Sequence, residues 1–321
     1  MKLSVIICCY NSAKTIETAL KALSDQERIK GDWEIILVDN NSTDNTGDLA
    51  KLFWKNQHAQ IPLKIVLQKT PGLSHARHKG IQESKGEFIL FCDDDNYLSK
   101  EYVNNAILIM ENDQKIGALC GFNEPLYEAP PPLLIKKNLT AYACGHYGME
   151  SQYLNGKTVP WGAGLVVRAK VLKKLQSIGF QSMLSDRKGK ELSSGGDTEF
   201  CYIIYLLGYK WKYDTRLFLK HFIPANRMNK QYLSDIYFGF GKANAVIEWY
   251  YGNGDMNRIK NKVSWWKVYS KQVLFYKQNK SKLNFAEEYT EGYLEQLYND
   301  RKSFLKKRKY VYNTLLKLGV N

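Results

Sequence analysis

Three acids in succession, Asp93-Asp94-Asp95, follow the apolar run Phe88-Ile89-Leu90-Phe91-Cys92 and stop at Asn96. A short apolar run of this length, preceded by the turn signal Lys85-Gly86-Glu87, reads as a fully buried strand. The acids then stand at its C-terminal end, where ligands bind in open α/β sheets. Adjacent carboxylates repel one another, and a hard divalent cation with oxygen ligands, Mn²⁺ or Mg²⁺, would neutralise them. The plainer alternative is a solvated acidic turn after a strand.

The elements that would carry these acids are legible upstream. Leu3 to Cys9 is a β-branched apolar run broken by Tyr10-Asn11-Ser12, and helical periodicity follows through Ile16, Leu20 and Leu23. A second strand, Glu34 to Val38, ends at Asp39, before the turn-rich Asn40-Asn41-Ser42-Thr43-Asp44-Asn45-Thr46. Leu63 to Leu67 gives a third strand, Leu73 to Ser84 a helix, and Phe88 to Cys92 the fourth strand. Alternating strands and helices predict a parallel sheet with right-handed crossovers, its polar strand ends gathered on one edge. Neither Gly-x-Gly-x-x-Gly nor a Walker A sequence occurs, which argues against dinucleotide dehydrogenases and P-loop enzymes.

Beyond a helix near Tyr102 to Asn112 and a strand from Ile116 to Phe122 the pattern loosens. Pro125 to Pro132 and the aromatic stretch to Val159 read as loop. Regularity returns at Trp161-Gly162-Ala163-Gly164, then Leu165 to Val167, a helix near Val171 to Ile178, and a helix opened by Gly195-Gly196-Asp197-Thr198-Glu199-Phe200. Trp211 to Tyr213 and Leu217 to Phe222, the latter carrying His221, read as two short strands. Past Pro224 the chain turns helical, basic and aromatic, with helices expected over Tyr232 to Tyr251 and Trp265 to Tyr276.

The 321 residues carry a net charge of +14, and residues 226–321 hold eighteen Lys and Arg against eight Asp and Glu. The basic excess therefore sits in the tail, which points to a polyanionic partner. The six cysteines show no Cys-x-x-Cys spacing and fit reduced thiols. No stretch reaches the ~18 apolar residues of a membrane span. These features predict a cytoplasmic protein whose membrane contact, if any, is peripheral.

In order and spacing, four motifs resemble the family 2 inverting glycosyltransferases of GT-A fold. They are Ser4 to Asn11, Ile36 to Thr46, Pro71-Gly72-Leu73-Ser74-His75-Ala76-Arg77-His78-Lys79-Gly80-Ile81, and the acidic strand end. The resemblance covers residues 3 to 96 well and extends loosely to about 222. It implies a Rossmann-like, mostly parallel sheet flanked by helices, in an α/β GT-A domain over 1–224; the helical basic appendage over 225–321 lies outside it. Within the domain, residues 1–100 would be the nucleotide half and 101–224 the acceptor half. The donor would be a nucleotide-sugar, a UDP-sugar in the first instance, and the acceptor a glycan or a lipid-linked species in cell-surface polysaccharide synthesis.

The same resemblance assigns roles. Tyr10, Asn11, Asp39, Asp93 and Asp94 would meet the nucleotide, with Asp39 on the base. Arg77 would add to nucleotide or phosphate binding, or form a surface salt bridge. Asp95 would ligate the cation, joined by His221. Gly162 and Ala163 would lie beside the donor sugar, with Trp161 stacking on a sugar or in the core. Asp197 would be the base that deprotonates the acceptor. Gly196 stands where the family usually has Glu, so Glu199 is a second candidate for the base. Two other function classes stay open: a sugar-nucleotide-binding protein of this fold without transfer, and a nucleic-acid-binding protein. The latter rests on the basic tail alone, with no supporting motif, and nucleic acid is not an expected partner. The tail interleaves Trp265, Trp266, Tyr269, Phe275 and Tyr276 with Lys262, Lys267, Lys271 and Lys277, a composition suited to an anionic membrane surface.

Overall fold

The structure is a computed structural model that describes residues 1–27, 31–57, 60–184, 186, 195–250, 265–279 and 285–320. Its strands are β1 (Leu3–Cys9), β2 (Trp33–Asp39), β3 (Leu63–Leu67), β4 (Phe88–Asp93), β5 (Asn96–Leu98), β6 (Ile116–Tyr127), β7 (Gln152–Leu154), β8 (Leu165–Arg168) and β9 (Lys210–Ile223). They join in one sheet of order β3-β2-β1-β4-β8-β6-β9-β5, with β7 paired to β9. The first four in that order are parallel, as the alternation of strands and helices predicts. β8 runs antiparallel to both β4 and β6, and β6 and β9 are parallel.

Register explains the gathering of acids. Cys8 lies opposite Asp93 on one side and Val38 on the other, and Cys9 lies opposite Asp39. β1 is buried along its whole length apart from a partly buried Cys8, so a one-residue slip would cost its entire core face. At the other end of these strands the buried Glu34 accepts from the Ser4 hydroxyl at 2.7 Å and the Lys85 amide at 2.8 Å.

Flanking helices are α1 (Ile16–Ser24), α2 (Thr46–Asn56), α3 (Leu73–Glu83), α4 (Tyr102–Asn112), the single turn α5 (Leu133–Lys136), α6 (Ala169–Ser177) and α7 (Gly196–Leu206). The two short strands expected over Trp211 to Phe222 are one strand, β9, because Asp214 at its middle is buried and held by Arg216 at 2.8 Å. The helix expected over Tyr232 to Tyr251 is α8 (Lys230–Ile247) followed by a 3₁₀ turn, Glu248–Tyr250. Tyr251 lies outside the described residues.

The remaining helices are α9 (Trp265–Asn279), α10 (Ala286–Asp300) and α11 (Phe304–Leu318). α8 and α10 cross with their backbones in contact. A Cβ on Gly241 would lie 1.9 Å from the Tyr289 carbonyl oxygen, and one on Gly292 would lie 2.0 Å from that of Phe238. The expected boundary at 224/225 is no break in the core. One hydrophobic cluster runs from Leu165, Trp211 and Tyr213 through Tyr250 and Tyr293 to Phe304 and Leu315.

Candidate active site

A cleft of about 1460 Å³ opens where β1 and β4 end. Tyr10, Asn11, Asp93, Asp94, Asp95, Gly162, Ala163, Asp197 and His221 all line it, and Tyr232, Phe240 and Tyr289 add a wall from α8 and α10. Residues as far apart in sequence as Tyr10 and Tyr289 thus face one space.

The loops after β1 and β2 are stitched together by short polar side chains. The Asn11 carboxamide oxygen accepts from the Thr43 amide at 2.8 Å, and the Ser12 amide donates to Thr46 Oγ1 at 2.8 Å. Asn40 clamps the loop before α3, donating to the Thr70 carbonyl at 2.7 Å and accepting from the Gly72 amide at 2.7 Å. Asp39 takes part in the same framework. Its Oδ1 accepts from the Ser42 amide at 2.9 Å, and the residue orders this loop without lining the cleft.

In the acidic triplet the three side chains diverge. The Asn96 carboxamide accepts from the Asp93 amide at 3.1 Å and pins the turn. Asp94 points to α1, accepting from Thr15 Oγ1 at 3.1 Å, and burial together with its acidic neighbours pushes it up to about 6. Asp95 turns toward β9 and beyond. Its Oδ1 is 3.4 Å from His221 Nε2 and its Oδ2 is 3.1 Å from Arg227 Nη1. Burial alone would lower the His221 imidazole, but the Asp95 carboxylate outweighs it and raises the group to about 10. β5 and β9 create this contact by placing Asn96 opposite His221. Arg227, on the turn after Pro224, gives no signal in the sequence.

Also lining the cleft, Asp197 stands in the first turn of α7 with its carboxylate against the bare Cα of Gly162. A Cβ on Gly162 would come within 2.2 Å of Asp197 Oδ2. Glu199, the second candidate for the base, faces elsewhere. Two residues on a helix differ by about 200° around the axis, and Glu199 is fully buried on the side away from the cleft. Its carboxylate accepts from the Tyr250 hydroxyl at 2.6 Å, the Met183 amide at 3.2 Å and the Ser182 hydroxyl. Burial pushes it up to about 7 against those donors. It is a packing group and touches no part of the cleft.

Arg77 lines the cleft but is buried in an ion pair, Nη1 lying 2.8 Å from Asp186 Oδ2. Asp186, which no sequence motif flags, is brought there by the fold alone. Trp161 packs on Tyr147 at 4.5 Å between ring centroids and also borders the cleft.

A family model, Glycosyl transferase family 2, matches residues 4–176. The chain belongs to that family. Among curated proteins, the probable glycosyltransferase YdaM of Bacillus subtilis strain 168 is 29% identical over 214 residues, which are 65% of this chain and 47% of that protein. The poly(ribitol-phosphate) beta-glucosyltransferase of Bacillus spizizenii is 34% identical over 126 residues, 38% of this chain and 20% of that protein. The chain thus spans about half the length, or less, of these relatives. Among solved structures, Staphylococcus aureus TarS 1-349 in complex with UDP superposes with a TM-score of 0.54 at 18% identity, covering 94% of this chain and 92% of that one. The mannosyltransferase PcManGT from Pyrobaculum calidifontis, in complex with GDP-Man and Mn²⁺, gives 0.54 at 15% identity, covering 94% and 87%. These likenesses establish the GT-A fold of the family 2 chain.

Proposed function

We propose that this chain is an inverting glycosyltransferase that moves a sugar from a nucleotide donor, a UDP-sugar in the first instance, to a hydroxyl of a glycan or lipid-linked acceptor. One observation carries the reading. A carboxylate–imidazole pair, Asp95 and His221, and a second carboxylate, Asp197, line the same cleft.

Asp95 and His221 suit a divalent cation, one hard oxygen and one imidazole 3.4 Å apart on the cleft wall. No group of three such side chains occurs among the described residues, so donor oxygens and water would complete the shell. Mn²⁺ or Mg²⁺ held there would act as a Lewis acid toward the departing diphosphate. Arg227 adds fixed positive charge beside Asp95. Tyr10, Asn11, Asp93 and Asp94 would border the nucleotide, and Gly162 with Ala163 would leave room for the donor sugar. Asp197 would take the acceptor proton as the new bond forms opposite the leaving group. In the test, sugar nucleotides are incubated with Mn²⁺ and candidate acceptors, nucleoside diphosphate release is measured, and the anomer formed is read by NMR. Donor binding without diphosphate release, with any acceptor, would leave only a binding protein.

The tail adds a location. α9 and α11 contain no acidic residue, and α9 exposes Trp266 (68%), Leu274 (56%) and Phe275 (44%) beside Lys267, Lys271 and Lys277. Lys262 lies outside the described residues. Trp265 is committed inward, its indole donating to the Leu297 carbonyl at 2.7 Å. Among the described residues no helix is long and apolar enough to cross a membrane. Trp266, Leu274 and these lysines would seat α9 on an anionic bilayer, where Trp and Lys are both favoured. Co-sedimentation with anionic vesicles should be salt-sensitive and should fall on Trp266→Ala with Lys267→Glu. Equal indifference to anionic and neutral lipid would sink the idea.

A further inference from the structure

The ion pair behind Asp197 is more than a strut. Asp186 Oδ2 meets Arg77 Nη1 at 2.8 Å, and its Oδ1 accepts from the Gly196 amide at 2.7 Å. Both side chains are almost completely buried. A Cβ on Gly196 would come within 2.2 Å of Asp186 Oδ2, so the carboxylate fills the space that a side chain beside Asp197 would need. Asp186 itself adopts φ 53°, a left-handed conformation that Asp tolerates better than most residues. The segment therefore places one carboxylate against two partners that both adjoin the base.

We propose that Asp186 is a positioning residue for Asp197: it holds the Arg77 guanidinium and the first amide of α7, so that Asp197 faces Gly162 and the cleft instead of closing on the arginine. Burial works against the Arg77 charge, and Asp186, Asp197 and Asp93, in that order, sustain it. Without Asp186 the acid acting most strongly on the buried guanidinium is Asp197, and a base drawn into such a pair would be weaker and out of line. The charge of Asp197 is felt by Arg77 from α3, by Tyr147 from the loop before β7 and by Cys201 from α7 itself, and Arg77 also feels Asp186 from the segment before α7. Of these, Arg77 and Asp186 carry the opposed charges that the proposal sets against each other.

The inference rests on Asp197 as the base, and the experiment separates the two. Transfer is measured across pH at saturating and limiting donor for the wild type, Asp197→Asn, Asp186→Asn and Arg77→Met. In Asp186→Asn the unbalanced arginine should move the acid limb of kcat to lower pH by about one unit and reduce kcat up to about tenfold. Donor KM should stay within about threefold. In Arg77→Met the unbalanced aspartate should move the limb the other way. Opposite displacements are a signature that simple loss of stability does not produce. Limbs that stay put, or move together, overturn the proposal. Should Asp186→Asn fail to fold, Arg77→Met is compared with Arg77→Met/Asp186→Leu, which removes both buried charges. The limb should rise in the first and return in the second, and a common limb overturns the proposal. Wild-type kcat in Asp197→Asn would remove the base itself, whereas an inactive Asp197→Asn with unmoved limbs removes only the inference about Asp186.

Discussion

Two regions of this molecule bury or half-bury carboxylates, and they do so in opposite ways. In the cleft, Asp95 is met by His221 and Arg227, and Asp186 by Arg77. Behind α7, where the C-terminal segment packs, Glu199 is met by the hydroxyls of Ser182 and Tyr250, and Glu248 by that of Tyr293. Cations hold a carboxylate ionised; hydroxyl donors leave it able to keep its proton when burial demands it. Glu199 and Glu248 are accordingly both raised, burial being the first cause. Asp94, with Thr15 as its partner inside the cleft, follows the hydroxyl pattern. The partner thus decides whether a buried acid is held ionised or can keep its proton.

The contrast can be broken by four measurements. Asp95→Asn, or EDTA on the wild type, should abolish transfer while the circular dichroism spectrum is kept; full activity in EDTA would remove metal assistance from the cleft. Next in size, Asp197→Asn should lower kcat by about 10²-fold or more with donor affinity retained, whereas Glu199→Gln should stay within about threefold. The reverse ranking would exchange the two regions' roles. A smaller effect is expected on stability. Gly292→Ala forces a methyl toward the Phe238 carbonyl and should cost about 1–3 kcal/mol in denaturant unfolding. A cost near zero would mean that α8 and α10 are free to part.

The subtlest effect is on pH. A carboxyl whose folded value is about 7 binds its proton more tightly than in the unfolded chain, where it titrates near 4.3. Between those values the folded state holds the extra proton, so stability falls as pH rises through that window, by at most ~1.4 kcal/mol per unit. Wild type should therefore lose Tm from pH 5 to pH 7 relative to Glu199→Gln. Parallel curves would place an ionised Glu199 behind α7.

The nucleotide side was readable because its signals are local. Apolar runs ended by Tyr10, Asp39 and Asp93 are strands followed by turns that line the cleft, and the parallel register aligns those ends. Asp95 and His221 were legible as types, but their meeting depends on the β5–β9 pairing across 126 positions, which no spacing reveals. The choice between Asp197 and Glu199 needed the helix's orientation, since either could open a helix. Asp39 carried the motif, and its bond from the Ser42 amide, which also orders the loop, could not be read from it. Asp186 and Arg227 were invisible: each is a single charged residue in irregular chain, given a partner only by long-range packing.

The core shared between the sheet and the last helices also bears on the order of events during synthesis. Trp249 packs edge-on against Phe304 at 6.0 Å between centroids, and Leu315 belongs to the same cluster as Trp211. The wall that Tyr232, Phe240 and Tyr289 give the cleft cannot settle until α10 has left the ribosome to cross α8. A nascent chain emerging at ~5–20 residues per second would thus hold its strand-end acids in place for several seconds before it had a closed site to use them in.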